Sequence, residues 1–486
     1  MRNICLLIVF GSIAAGAYAT DRYVSLDGTN NAAAGYTNWA GAATSIIAAV
    51  NAAAAGETIL VSNGLYKLTN QITLGNNTLR SWNNGATDRD GTIIDGNNYA
   101  GKPVTNRCVQ MNVAGGYLDG FTISNGFAGY GGGILASVAA VITNCIITLN
   151  EATRATAFSG GGVVVYGGGK LTHCSIISNR APDSGVASAA GVFASGTGTE
   201  VTDCEISGNT AYQWAGLYMN DDCMVSNCMI SGNTATLYGG GFTIRGNGGG
   251  IISHSVISNN SAGTMPGAGG GGAHISVGGT IRNCTFVDNN SGRQGGGIYI
   301  YLPSTTTIVQ NCLFANNCST QNHGGGIYLL HNHAVHAGLV QIKNSTFASN
   351  SAYYPGGGLY VEIGALQLDK VDIKNTIVAS NIVEGANSDI NIEGEAGATN
   401  CFSYCCSPTY NSFPPDKGNI EADPLFVSSA NFRLQAGSPC INTGTNQVWM
   451  TNAKDLDGIR RIDQFSGKVD MGAYEHLPAG MLFKMW

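Results

Sequence analysis

Apolar and polar positions along this chain alternate in short bursts, never in long runs. Between about residues 108 and 395 one phrase returns: apolar–x–x–Cys/Ser–x–apolar–x–x–Asn, as in VITNCIITLN, LTHCSIISN, VTDCEISGN and IRNCTFVDN. Its small position falls at Cys145, Cys174, Cys204, Cys228, Ser255, Cys284, Cys312, Ser345 and Thr376, with Gly120 as a degenerate earlier member. Within it, Cys204 and Ile206 alternate with Glu205 and Ser207, the two-residue period of a strand with one buried face. A second phrase, three small residues and an apolar one (GGGI, GGGV, GGGF) with WAGL as a variant, separates the copies and ends at positions from Ile134 to Leu359. Two short strands per repeat, with turns of variable length, predict the coils of a parallel β-helix, about ten to twelve in number.

An asparagine recurs five residues after the small position, at Asn125, Asn150, Asn179, Asn209, Asn233, Asn260, Asn289, Asn317, Asn350 and Asn381. Asparagine tolerates the left-handed conformation of a sharp turn, and stacked amides can hydrogen-bond along a rod. The GGG-apolar phrases, together with F-x-x-N at Phe286–Asn289, Phe314–Asn317 and Phe347–Asn350, resemble the repeats of polymorphic outer-membrane-protein adhesins. The wider pattern resembles the pectate-lyase-like superfamily, which implies an all-β, right-handed parallel β-helix solenoid. That scaffold hosts lyases, hydrolases and adhesins, so the resemblance implies fold and leaves function open.

Both ends read as caps. Thr44 to Ala55 forms an amphipathic pattern with Ile46, Ile47, Val50 and Ala54 on one stripe and Gly56 as the stop. After residue 395 the repeat ends. There ADPLFVSSANFRLQAGSPCINTG, DLDGIRR and VDMGAYE resemble, in order, the C-terminal region of choice-of-anchor Q exported β-helix proteins, which implies a surface protein. Arg2, the apolar run Ile4 to Ala15 and Ala17-Tyr18-Ala19 read as a signal peptide cleaved near Ala19, so a secreted or cell-surface location is expected. The expected division is a signal peptide over 1–19, a cap and first coils over 20–107, repeats over 108–395, the anchor-Q-like region over 396–475 and a tail over 476–486.

Composition narrows the function classes. The 70 glycines and the 11% of charged residues suit strands joined by tight turns. Lys and Arg total 23 and form no basic run, so nucleic-acid binding lacks its electrostatic footprint. No segment after the signal is apolar for long enough to span a bilayer as a helix. Of 14 cysteines, six sit at the repeat's small position, where free, inert thiols are expected. Cys401, Cys405, Cys406 and Cys440 are the better disulfide candidates in an exported chain.

Candidate chemistry is uneven around the coil. On the Cys strand the outward positions include Ile146, Ser175, Met229, Val256, Leu313 and Ile377, with Glu205 the one charge, so acids and bases do not converge there. On the strand after the glycines the outward rows place Tyr218, Arg245, His274, Tyr299, Tyr301, Tyr328, Tyr360 and Glu362 in one stripe. Rigid aromatic faces with polar tips suit sugar rings or a protein partner, although sheet surfaces favour tyrosine in any case. His331, His333 and His336 read as a surface turn, and Asp221-Asp222 and Asp455-x-Asp457-Gly458 read as turns without a full set of calcium ligands. The expected function is recognition or adhesion at a surface, most plausibly of an extracellular glycan, without metal or cofactor. A polysaccharide lyase or glycoside hydrolase using Arg245, His274 and Glu362 is the rival, and a passive spacer the third reading.

Overall fold

A computed structural model describes residues 20–98, 106–153, 159–182, 188–246, 249–333, 335–394 and 396–477. The expected signal peptide and the tail from residue 478 onward lie outside them. The chain winds into a solenoid whose walls are four sheets of 14, 12, 11 and 12 strands, parallel throughout except for the last pair of the third. One coil shows the plan: Val141–Thr143 lies in the first sheet, Ile146–Thr148 in the second, Glu151–Ala152 in the third and Val163–Tyr166 in the fourth. Each strand pairs in register with its equivalent one coil away, so Ile142 neighbours Leu171 and Ile147 neighbours Ile176. The inward members form one continuous core, with Phe286, Phe314 and Phe347 stacked at centroid distances of 4.8 and 4.6 Å.

Corners make the short strands possible, and two of them are left-handed in every repeat. Between the first and second sheets the turning residue is Asn144, His173, Asp203 or an equivalent, with φ near +50°. Between the second and third it is Leu149, Ser178, Gly208 or an equivalent, with φ of +54° to +63° from Leu149 to Ser380. The repeated asparagine is therefore the residue after the left-handed one, contrary to the expectation that it makes the turn itself. The earliest coil shows the same offset: Thr122 pairs with Ile146, so Phe121 holds the small position, and Gly120 and Asn125 are the left-handed residues.

What the asparagine does is replace backbone pairing lost at the corner. The nine residues from Asn150 to Asn381 are fully buried. Each Nδ2 donates to the Oδ1 of the next asparagine at 2.8–3.1 Å, and each Oδ1 also accepts the preceding asparagine's backbone N–H. The second Nδ2 hydrogen goes to a carbonyl of the preceding coil, such as Ile147 O from Asn179 at 2.9 Å and Ile206 O from Asn233 at 2.9 Å. Asp389 ends the ladder, taking both Asn381 nitrogens at 2.9 and 3.0 Å and the Thr409 hydroxyl at 2.6 Å. The triple glycines are the other half of this contact. A Cβ on Gly162, Gly216 or Gly358 would stand 2.7–2.9 Å from the Nδ2 of Asn179, Asn233 or Asn381. The small position works alike at the other corner, where the backbone N–H groups of Cys145 and Cys228 reach Cys174 Sγ at 3.4 Å and Ser255 Oγ at 3.1 Å.

The ends are closed differently. A helix over Ile46–Ala52 lays Ile46, Ala49 and Val50 on the first coil. It is shorter than the amphipathic pattern because Ala53 is extended and the Ala54 N–H is taken by Glu57 Oε2 at 2.8 Å. At the other end Phe402, Tyr410 and Phe413 form an edge-on cluster over the last coil. The chain then turns back along the outside of the second sheet. A hairpin, Phe426–Ser428 with Asn431–Leu434, and residues to Tyr474 cover Leu313, Ala315, Ala348, Ile377 and Ala379. Thr346 Oγ1 accepts the Ala473 N–H at 2.9 Å. The apolar outward face of the Cys strand is thus a docking bed for the chain's own C-terminal part. All thirteen cysteines from Cys108 to Cys440 are free thiols, the four disulfide candidates included: Cys401 and Cys405 lie in the core of the last coil, and Cys406 Sγ donates to Ala422 O at 3.2 Å. Among the described residues no helix is long and apolar enough to cross a membrane.

Two consequences are measurable. Asn233→Ala leaves the Asn209 N–H without its acceptor and takes a second donor from the Ile206 carbonyl, so unfolding free energy falls by about 1–3 kcal/mol. Denaturant titration checks this, and a loss near that of an exposed Asn→Ala would contradict it. In the C-terminal part, Glu475 lies 3.2 Å from the wholly buried Arg461, and burial pushes the Glu475 carboxyl up to about 9 from 4.5 despite that cation. Asp455 and Asp470 beside it are raised for the same reason. A raised folded pKa favours the protonated folded state, so this stabilisation is full below about pH 4.5 and lost as pH rises through 9. Melting temperatures from pH 5 to 9 should fall less steeply in Glu475→Gln, and an unchanged slope would contradict the assignment.

Candidate functional site

The fourth sheet is where polar and aromatic groups gather. Its strands Leu217–Asn220, Phe242–Arg245, Ala273–Ile275, Ile298–Tyr301, Ile327–His331 and Leu359–Ile363 stack in that order. Register sets Tyr218, Thr243, His274, Tyr299, Tyr328 and Tyr360 in one outward row, one residue per coil. A second row carries Asn220 beside Arg245, and Tyr301, Leu330 and Glu362 further along.

The first row faces outward yet is covered. Tyr218, His274, Tyr299, Tyr328 and Tyr360 are all buried, and of the expected stripe only Arg245 and Tyr301 are exposed, with Glu362 half-buried. This corrects the expectation of an open tyrosine strip. The cover comes from the residues that lead into the triple glycines. Trp214 lies 4.3 Å from the Tyr218 ring, Tyr238 stacks on His274 at 4.9 Å, and His323 stacks on Tyr360 at 4.1 Å. From the other side Tyr301 packs edge-on to Tyr299 at 5.6 Å. Trp214 and Tyr238 were not identified by sequence reasoning; with His323, their shared signal is position, immediately before or at the first glycine of the GGG phrase.

Local backbone explains why rings can lie there. The first glycine is left-handed in the triplets that begin at Gly131, Gly239, Gly295, Gly324 and Gly356, and a Cβ on Gly239 would collide with the Thr243 hydroxyl. Trp214 holds the equivalent left-handed place at φ +56°, which a bulky side chain adopts at a cost of about 1–3 kcal/mol. Such strain at a surface groove is a mark of function when other signs agree. Here they do: the Arg245 guanidinium sits 5.6 Å from the Trp214 ring and has no ion-pair partner among the described residues.

Electrostatics separate the candidate groups. Burial, helped by Arg245, pushes the His274 imidazole down to about 3, so the ring is neutral. Burial also holds the phenols of Tyr299, Tyr328 and Tyr360 above their usual range, with Tyr218 at about 12. Glu362 accepts from the Tyr328 hydroxyl at 3.1 Å and from Asn332 Nδ2 at 2.5 Å. The His331 ring turns inward, its Nε2 2.8 Å from Gly338 O. Among the described residues no three His, Cys, Asp or Glu side chains are placed to share a metal ion.

A family model for the right handed beta helix region matches residues 187–402. The protein is a right-handed parallel β-helix of about eleven turns. Among solved structures, a pectate lyase, Pel9A, is similar with a TM-score of 0.43 and 14% identity over 95% of this chain and 98% of that one. A complex of XylC with xylose gives 0.41 and 10% over 94% and 98%. Neither likeness bears on chemistry at those values. No curated protein matches the sequence.

The neutral state of His274 is directly testable. Ring-nitrogen chemical shifts should show no titration of this residue between pH 5 and 8, and a midpoint near 6.5 would contradict its burial.

Proposed function

We propose that this is an exported β-helix protein that recognises a glycan along the outer face of its fourth sheet. The observation that carries the reading is an aromatic array surfacing beside an unpaired cation. His274, Tyr299, Tyr328, Tyr360, His323 and Tyr354 follow one another at ring-centroid distances of 4.1–5.5 Å. The array surfaces at Tyr301, which is 42% exposed, and at Tyr353 and Tyr354, each 48% exposed. Aromatic faces held rigidly by their neighbours bind sugar rings at low entropic cost, and Arg245 adds a hydrogen-bonding fork. The phrases shared with adhesin repeats, and the N-terminal signal pattern, support a surface role.

Cleavage by the rival trio fits less well. His274 and Glu362 lie three coils apart and Arg245 one coil further, which at about 4.8 Å per coil separates the outer pair by roughly 19 Å. Paired groups acting on one glycosidic bond stand about 5–9.5 Å apart. A base whose pKa is near 3 also has little driving force for taking a proton at neutral pH.

The test is chromatography of the mature protein with a panel of neutral and acidic polysaccharides, following polymer size and co-elution. The reading predicts co-elution without shortening, weakened about tenfold in Tyr301→Ala/Tyr354→Ala, since each lost aromatic contact is worth about 0.5–1.5 kcal/mol. Shortening of a polymer would replace recognition by cleavage. Retention unaffected by the double substitution would move the binding surface elsewhere, and no retention would favour a spacer.

A further inference from the structure

Thirteen buried side-chain nitrogen and oxygen atoms lack a hydrogen-bond partner among the described residues, and six lie on or beside the fourth sheet over four successive coils. They are Trp214 Nε1, Thr243 Oγ1, His274 Nδ1, Ser276 Oγ, Arg293 Nε and Gln294 Oε1. Thr243 and His274 are neighbours in the first row. Ser276 follows Ile275, which pairs with Ile244 and Ile300, so it takes the second-row place between Arg245 and Tyr301. Gln294 bridges to Gly269, which in turn bridges to Tyr238, so the wall beside the row passes through these residues.

An unpaired buried polar group costs about 1–3 kcal/mol, and six together would cost as much as a whole domain's stability. Groups of this kind in native proteins are almost always met by water or ligand. Five of the six belong to uncharged side chains, a set that complements hydroxyl groups better than a carboxylate or a phosphate. One loop ring stacks on the row at His274. Tyr238 lies over His274 at 4.9 Å and 29°, and it is only half-buried itself, on a loop that returns to the fourth sheet. Behind it Gly239 and Gly269 put no Cβ over Thr243 or Tyr299.

We propose that Tyr238 is a movable cover over a subsite for one neutral sugar ring, whose hydroxyls pair with Thr243 Oγ1, His274 Nδ1 and Ser276 Oγ. The inference rests on the glycan-recognition reading and adds to it a point of monosaccharide specificity on an otherwise extended surface. Binding requires the Tyr238 ring to swing aside, so apparent affinity is reduced by the fraction of molecules that are closed.

The experiment titrates the full-length mature protein with glucose, galactose, mannose and N-acetylglucosamine at millimolar concentration, read by ligand-observed NMR. At least one sugar binds, Tyr238→Ala binds it about tenfold more tightly, and the isosteric Thr243→Val binds it about tenfold more weakly. Binding of none of the four by either the parent or Tyr238→Ala overturns the proposal. So does an affinity unchanged by Thr243→Val, which by itself decides the matter if Tyr238→Ala fails to fold. Polymer retention measured on the same preparations separates the two ideas. Retention that ignores Thr243→Val removes the subsite and leaves the surface, whereas monosaccharide binding without retention does the reverse.

Discussion

A solenoid with strands of two to five residues must turn several times per coil, and each turn breaks the backbone ladder that holds coils together. The buried asparagine ladder repairs that break. One amide per coil supplies an acceptor to the N–H that the left-handed corner leaves unpaired, and its own hydrogens go to the next amide and to a strand carbonyl of the preceding coil. Because every amide donates in the same sense along the rod, the ladder has a direction, and it ends on a group with nothing to donate when ionised. Asp389 is that group, held by the Thr409 and Ser407 hydroxyls as well as by Asn381.

Much else follows from that constraint. At the last glycine of the triplets a Cβ would meet the next coil's glycine carbonyl, at 2.2–2.8 Å from Gly133 to Gly326, and in most coils the corner amide as well. Glycine there lets the loop pass close to the core, and the residue just before the triplet is then carried over the fourth sheet's outer row. Tyr238 and His323 reach their aromatic partners for this reason. The candidate site is thus a by-product of how the corner is packed, varied from coil to coil by what precedes the glycines. On the opposite wall the second sheet presents small and apolar side chains, and the C-terminal part takes that face for itself.

The fold was legible because its determinants are local and repeated. The period-two alternation around Cys204, the recurrent asparagine and the glycine triplets each state one coil's needs, and the strands carry them in register. The offset between the asparagine and the left-handed residue was not legible, since both Asn125 and Asn150 fit a turn by residue type and only pairing tells them apart. For the site, the alignment of Tyr218, His274, Tyr299, Tyr328 and Tyr360 could be read from spacing. Their burial could not, because the covering rings belong to loops of irregular length. The unpaired atoms of Thr243 and Ser276 are invisible in sequence altogether: hydroxyl residues on a strand look alike whether or not a partner stands nearby.

Hydrogen exchange of the native protein, followed by mass spectrometry on overlapping peptides, addresses the ladder most directly. The account predicts that backbone amides of Asn179, Asn209, Asn233, Asn260 and Asn289 exchange as slowly as those in the adjoining strands, because each is donated to a buried side-chain oxygen. Exchange at these corners as fast as in the exposed turns would mean that the amides do not hold the coils together.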